Sequence, residues 1–209
     1  MSTRTIARRA ALAGVALSAT LALAACAGDD HQAGSGHDMP GAGAPAGPSA
    51  SASATFGDAD VMFAQMMIPH HQQAVRMSEL ADSRAEDPEV KHLAAQIKAA
   101  QAPEIATMTG WLTAWGRPVP SGSPTGGHHD HGMPGMMSDA DMAKLADASG
   151  REFDRQFLTM MIAHHEGAIT MAEEELASGG NADAKAMAQQ IVNAQQSEID
   201  AMKKILARL

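Results

Sequence analysis

From Asp58 onward apolar side chains recur at three- and four-residue spacing. Met62, Met66, His70, Gln73, Met77 and Leu80 share one helical stripe, and Phe63, Met67, His71 and Ala74 share the stripe beside it. Together they predict one broad, mostly apolar helix face, ending near Arg84–Asp87. Pro69 lies inside this pattern and is expected to kink the helix just before the histidine pair. Pro88 suits the first turn of a second helix, which the pattern carries from about Glu89 to Trp115 before Gly116 and Pro118 stop it. Residues 116–138 read as a Gly/Pro-rich loop. Ser138, with Asp141 three residues on, predicts a capped short helix. Gly150 then separates that piece from a third long helix, about Arg151 to Ala177. Gly179-Gly180-Asn181 is the turn into a fourth, about Ala182 to Ala207.

The pattern repeats. Offset by 94 residues and without a gap, positions 60–112 and 154–206 are identical at 20 of 53 places by direct count. Each repeat, about 58–115 and 151–208, is a helical hairpin. One hairpin cannot bury its apolar faces alone, and two together make an all-α four-helix bundle. Short linkers within the hairpins and a long one between them fit this arrangement. Core positions drift easily among Leu, Ile, Val and Met, because volume-conserving swaps cost little. The match of Met66-Met67-Ile68-x-His70-His71 with Met160-Met161-Ile162-x-His164-His165 therefore asks for more than packing.

Thioether and imidazole are donors for a soft metal ion, copper(I) above all. Met66/His70 and Met67/His71 are i, i+4 pairs that can each meet one ion, as are Met160/His164 and Met161/His165. Met77 lies roughly 10 Å along the helix from His70 at 1.5 Å per residue. It and its repeat partner Met171 are secondary candidates, suited to another site or to the core. A second group, His128, His129, His131, Met133, Met136 and Met137, is crowded on the long loop, a composition that reads as metal capture. The structural reading of any single Met or His is core filler or a ring bonded to a carbonyl.

The first 55 residues read differently. Arg4, Arg8 and Arg9 precede a short apolar run, Ala10 to Ala25, as in a bacterial export signal. Leu23-Ala24-Ala25-Cys26 resembles a lipoprotein lipobox, which implies a signal over 1–25, acylation of Cys26 and anchoring to the membrane by lipid alone. Residues 27–55, rich in Gly, Ala, Ser and Pro, have no apolar period and read as a tether below a domain spanning 56–209. Cys26 is the only cysteine. Once it is acylated, a soft-metal site in an oxidising compartment must use Met and His. Removing the three signal arginines leaves 12 basic against 24 acidic residues, a balance that argues against nucleic-acid binding.

The carboxylates test a rival. Ferritin-like bundles hold two irons with Glu and Glu-x-x-His. The one Glu-x-x-His, Glu89-Val90-Lys91-His92, has no copy in the second half, where Asp183 and Ala186 stand, and Gln72 stands where the second half has Glu166. The repeated Glu79, Glu104, Glu173 and Glu198 are instead expected to cap, pair or orient the histidines.

Phe63-x-x-Met66-Met67-Ile68-x-His70-His71-x-x-Ala74, its copy from Phe157 to Ala168, and the Gln-x-x-Glu-Ile-x-x-Met that follows each resemble the bacterial family catalogued as domain of unknown function 305. The resemblance covers about 56–209. It implies a ferritin-like four-helix bundle and binding of copper or silver by Met66, Met67, His70, His71 and their repeat partners. The leading expectation is an exported lipoprotein that sequesters copper(I), or silver(I), without turnover. A copper- or iron-dependent metal oxidase is the alternative, and a structural or interaction lipoprotein without metal is the third reading.

Overall fold

The computed structural model describes residues 55–121 and 133–209; Cys26, the tether and the triad His128, His129 and His131 lie outside them. Five helices follow one another: α1 Asp58–Arg84, α2 Pro88–Ala114, α3 Asp139–Asp147, α4 Gly150–Ser178 and α5 Ala182–Arg208. The four long helices are those the repeat predicts, and α3 is the short capped piece after Ser138. α1 packs against α2 and α4 against α5, and the two hairpins meet chiefly through α1 and α4. Among the described residues no helix is long and apolar enough to cross a membrane.

Local chemistry sets the ends. Asp87 accepts from the Glu89 amide at 2.8 Å with Pro88 as the first helical residue of α2. Ser138 accepts from the Asp141 amide at 3.1 Å, and Asn181 accepts from the amides of Asp183 and Ala184, both at 3.0 Å. Each bond satisfies a helix N–H that has no partner within the helix. Gly150, at φ +62°, is the sharp joint between α3 and α4. α1 passes through Pro69 as one element of 27 residues, so the expected kink does not end the helix. Phe56, Trp115 and Trp111 stack in series at centroid separations of 4.8 and 5.9 Å.

The hairpins are tied together by a reciprocal pair of buried carboxylates. Asp60, near the start of α1, accepts from the amides of Gly180 and Asn181 in the α4–α5 turn at 3.0 and 2.7 Å. Its repeat partner Asp154 accepts from the amides of Glu86 and Asp87 in the α1–α2 turn at 3.2 and 2.9 Å. Each half caps the turn of the other, so a pseudo-twofold axis relates them.

Apolar burial falls into two clusters. One holds the first half of α1 (Phe63, Met67, Ile68) and the later part of α4 (Ala168, Met171, Ala172). The other holds the second half of α1 (Ala74, Met77, Ala81) and the first part of α4 (Phe153, Phe157, Met161). α1 and α4 therefore run antiparallel. The residues between the clusters on both helices are the two histidine pairs.

Candidate metal centre

His70, His71, His164 and His165 are all fully buried, at 0% exposure. They form a polar layer across the bundle with an apolar cluster on either side. The repeat puts two imidazoles on α1 and two on α4, and the antiparallel crossing brings them to the same height. The rings of His70 and His164 face each other across the axis, with centroids 3.7 Å apart and planes tilted by 36°. His164 and His165 are 6.4 Å apart, centroid to centroid.

The outer ring of each pair is held from behind. His71 Nε2 meets Glu104 Oε2 at 2.7 Å, and His165 Nε2 meets Glu198 Oε2 at 2.7 Å. The equal distances repeat the pseudo-twofold. A carboxylate accepts only, so Nε2–H donates and the Nδ1 lone pair of a neutral ring is left bare. A carboxylate behind an imidazole fixes its tautomer and raises its basicity toward a metal. The expectation that repeated glutamates orient histidines is met by Glu104 and Glu198. Glu79 instead pairs with Lys98 on the surface at 3.3 Å, and Glu173 is exposed.

The inner pair has different partners. His70 Nε2 donates to the carbonyl of Pro134 at 3.1 Å. Neither nitrogen of His164 has a hydrogen-bond partner among the described residues, and the Nδ1 atoms of His70, His71 and His165 also lack one. Five buried ring nitrogens thus go unbonded in one layer. Leaving one buried polar group unpaired costs about 1–3 kcal/mol, so such a cluster needs a physical reason. Burial, then the neighbouring His71, holds the pKa of His70 down to about 3, against the weaker upward pull of the Pro134 carbonyl. Burial, then His70, His165 and His71, holds that of His164 well below its usual value. Both rings are neutral at pH 7, the state in which imidazole is a ligand. Among the described residues no three His, Cys, Asp or Glu side chains stand as a preformed ligand set. What the layer offers is bare imidazole nitrogens on facing helices, few enough for the low coordination numbers of a soft monovalent ion.

The thioethers are placed less uniformly. Met67 and Met161 are fully buried, one turn before His71 and His165, but Met67 belongs to one apolar cluster and Met161 to the other. Met66 and Met160 are half-buried at the bundle's flank. Met77 packs in the core, and Met171 borders a cleft that Met66 also lines. The structure thus brings the four histidines together and spreads the predicted methionines around them.

The strap Met133–Met137 crosses directly over the histidines, a feature the loop composition did not reveal. Gln73 donates to the Met137 carbonyl at 2.8 Å and accepts from the Met137 amide at 2.8 Å. Gly135 sits at φ +77° with its α-carbon against Gly167, so closely that a Cβ on Gly167 would lie 2.1 Å from the Pro134 carbonyl oxygen. Met137 reaches the apolar cluster beneath, and Met133 lines a groove with Met66 and Pro69. Of the predicted loop donors, Met133, Met136 and Met137 are on this strap.

A duplicated all-α bundle with an imidazole layer at its axis defines the class. Residues 60–206 match the domain of unknown function 305, and the chain belongs to this family. It is similar to the solved structure of a presumed secreted DUF305 protein from Streptomyces coelicolor, with 39% identity and a TM-score of 0.65, covering 72% of this chain and 93% of that one. It is also similar to CopM, solved in a Cu(II)-bound form, with 37% identity and a TM-score of 0.62, covering 71% and 96%. The Cu(I)-bound form of CopM matches with 34% identity, a TM-score of 0.60 and coverage of 71% and 96%. CopM is likewise known in an Ag-bound form. Comparison with curated proteins gave no match.

Proposed function

We propose that this protein is an exported, lipid-anchored copper(I)-binding protein that sequesters the ion, or silver(I), without turnover. The observation that carries the reading is the layer of four buried imidazoles with five unbonded nitrogens on a pseudo-twofold axis. His71 and His165, each backed by a glutamate, offer Nδ1 as a ligand. His70 and His164, neutral and in ring contact, offer the remaining nitrogens. Met66, Met67, Met160 and Met161 lie one turn from these rings on the same helices, close enough for rotamer changes to bring sulfur in. Metal forms of CopM, with Cu(I) and Ag among them, support a soft monovalent cargo. The presumed secreted Streptomyces relative supports export. The lipobox ending at Cys26 carries the anchor.

Anaerobic copper(I) titration against a competing chelator tests the core site. The expected result is tight binding that His70→Ala plus His164→Ala weakens or abolishes. Unchanged stoichiometry and affinity in that double variant overturn the assignment. Labelling with a radioactive fatty acid, lost in Cys26→Ser, tests the anchor.

A further inference from the structure

The two halves of the bundle depart from their repeat most conspicuously at one place, a cleft of about 330 Å³ between the start of α1 and the end of α4. Met62, Met66 and Met171 line it, with Glu174 and Glu175. At the pseudo-twofold mate of this cleft Phe153 stands in place of Ala59, Gln156 in place of Met62, Leu80 and Ala81 in place of Glu174 and Glu175, and Arg84 in place of Ser178. There Phe153, Leu80 and Ala81 join an apolar cluster with Leu145 from α3, and the groove beside Gln156 and Met160 is lined by Lys144, Arg155 and Asp141. Every one of these differences acts in the same direction. Ala59 opens space, Met62 adds a thioether, Glu174 adds negative charge, Glu175 adds a polar carboxyl group, and Ser178 removes a positive charge.

Met62 is not there for packing. It is 58% exposed, and among the described residues it is the one large hydrophobic side chain left in that state. Glu175, 2% exposed, borders the cleft with the Asp60 carboxyl group beside its own. Three thioethers lining one cleft, with the exposed carboxylate of Glu174 at its edge, are a donor set for a soft cation with a negative charge nearby.

The cleft also leads somewhere. Met62, Met66 and His70 follow at intervals of four on one stripe of α1, each step about 6 Å along the axis. Their exposure falls from 58% at Met62, through half-buried Met66, to 0% at His70. The matching stripe of α4 begins with Gln156, so the ladder exists on one side only.

We propose that the Met62–Met66–Met171 cleft is a second, outer binding site for a soft monovalent ion, the point at which copper(I) is taken up before it reaches the imidazole layer. The identity of the ion rests on the copper reading above; the site itself does not depend on the core histidines. Thioether carbon chains have three rotatable bonds, so the three sulfurs can close on an ion in a cleft this size. Met66 belongs to both the cleft and the His70 turn, and passes the ion inward.

The test uses the full chain and silver(I), which does not cycle with peroxide. Hydrogen peroxide converts exposed Met62 to its sulfoxide, read by mass spectrometry. Silver(I) is expected to slow that conversion several-fold, in the unaltered chain and in His70→Ala/His164→Ala alike. In the chelator titration Met62→Gln, which installs the residue of the repeat mate at an exposed position, is expected to lose the weaker binding event and keep the core one. Oxidation of Met62 at the same rate with and without silver(I) overturns the outer site. So does an unaltered titration of Met62→Gln. A failed core site shows itself differently, as no change in His70→Ala/His164→Ala. Should that double variant not fold, the footprint on the unaltered chain decides.

Discussion

Gln73 and Gly167 occupy equivalent positions in the two halves, and both meet the same strap. Gln73 clamps the backbone of Met137 with two hydrogen bonds of 2.8 Å, while Gly167 lets the Pro134 carbonyl pass within reach of His70. One strap cannot be two-fold symmetric. The repeat therefore has to differ here, with a long polar side chain on one side of the axis and no side chain on the other.

Gly167→Ala should lift the strap. The added Cβ would stand 2.1 Å from the Pro134 carbonyl oxygen, which is backbone and has little freedom to move. Overpacking of this kind costs about 1–3 kcal/mol, and displacement of Pro134 also removes the bond to His70. The expected outcome is a lower urea midpoint and faster amide exchange over 133–137, with the helices retained by circular dichroism. A midpoint equal to that of the unaltered chain would show that the strap is not seated as described.

Glu104 and Glu198 should matter to metal more than to folding. Each is about one-fifth exposed and bonds only the far nitrogen of its histidine. Glu104→Gln and Glu198→Gln keep a hydrogen-bond partner but remove the charge that raises the basicity of Nδ1. Loss of such an outer partner costs about 10–100-fold in metal affinity. Competition titrations with copper(I) should show that loss in each single variant, with similar size because the two sites repeat. Thermal midpoints should move little.

The fold was legible because its signals are local or duplicated. The stripe through Met66 and His70, the proline at position 88, the Ser138 cap and the 94-residue offset each report on the chain itself. Convergence of the four histidines followed from the repeat and the need of two hairpins to cover each other. Glu104 and Glu198 were visible as repeated carboxylates, though not the nitrogen each would meet. The strap was not legible. Pro134 and Gly135 act through a backbone carbonyl and a missing Cβ, and neither leaves a periodic signal. Gly167, set against Gln73, was the one trace available. The outer cleft was hidden for a related reason. It arises where the repeat fails, at Ala59, Met62 and Glu175, and identity counts pass over such positions.

Asp60 and Asp154 should each hold the turn of the opposite hairpin. Asp60 accepts from Gly57, Gly180 and Asn181, and its replacement leaves buried amides unpaired, at about 1–3 kcal/mol for each. Asp60→Ala is expected to destabilise the chain more than Asp154→Ala, whose two acceptor bonds go to Glu86 and Asp87. Urea unfolding of the two variants measures the order. Equal and small losses would mean that water replaces the carboxylates without cost.

The histidine layer should also make the metal-free protein sensitive to acid. His70 has a folded pKa of about 3, set first by burial, whereas the unfolded chain titrates near 6.5. Between those values the unfolded state binds the proton and the folded state does not, so stability rises with pH across that window and is lost as pH falls through it. From pH 7 to pH 5 the loss is on the order of 2 kcal/mol for His70, and His164 adds to it in the same direction. His71 with Glu104 and His165 with Glu198 also face the layer. Glu175 acts oppositely. Burial, then Asp60 beside it, pushes its carboxyl up to about 8 from 4.5. The folded state holds that proton longer, and stability falls as pH rises between the two values. Glu175→Gln should therefore steepen the gain in urea midpoint from pH 5 to pH 7, and His70→Gln/His164→Gln should flatten it. A slope unaffected by the histidine double variant would show that the layer titrates in the folded state as it does in water, and that its rings are not held neutral by burial.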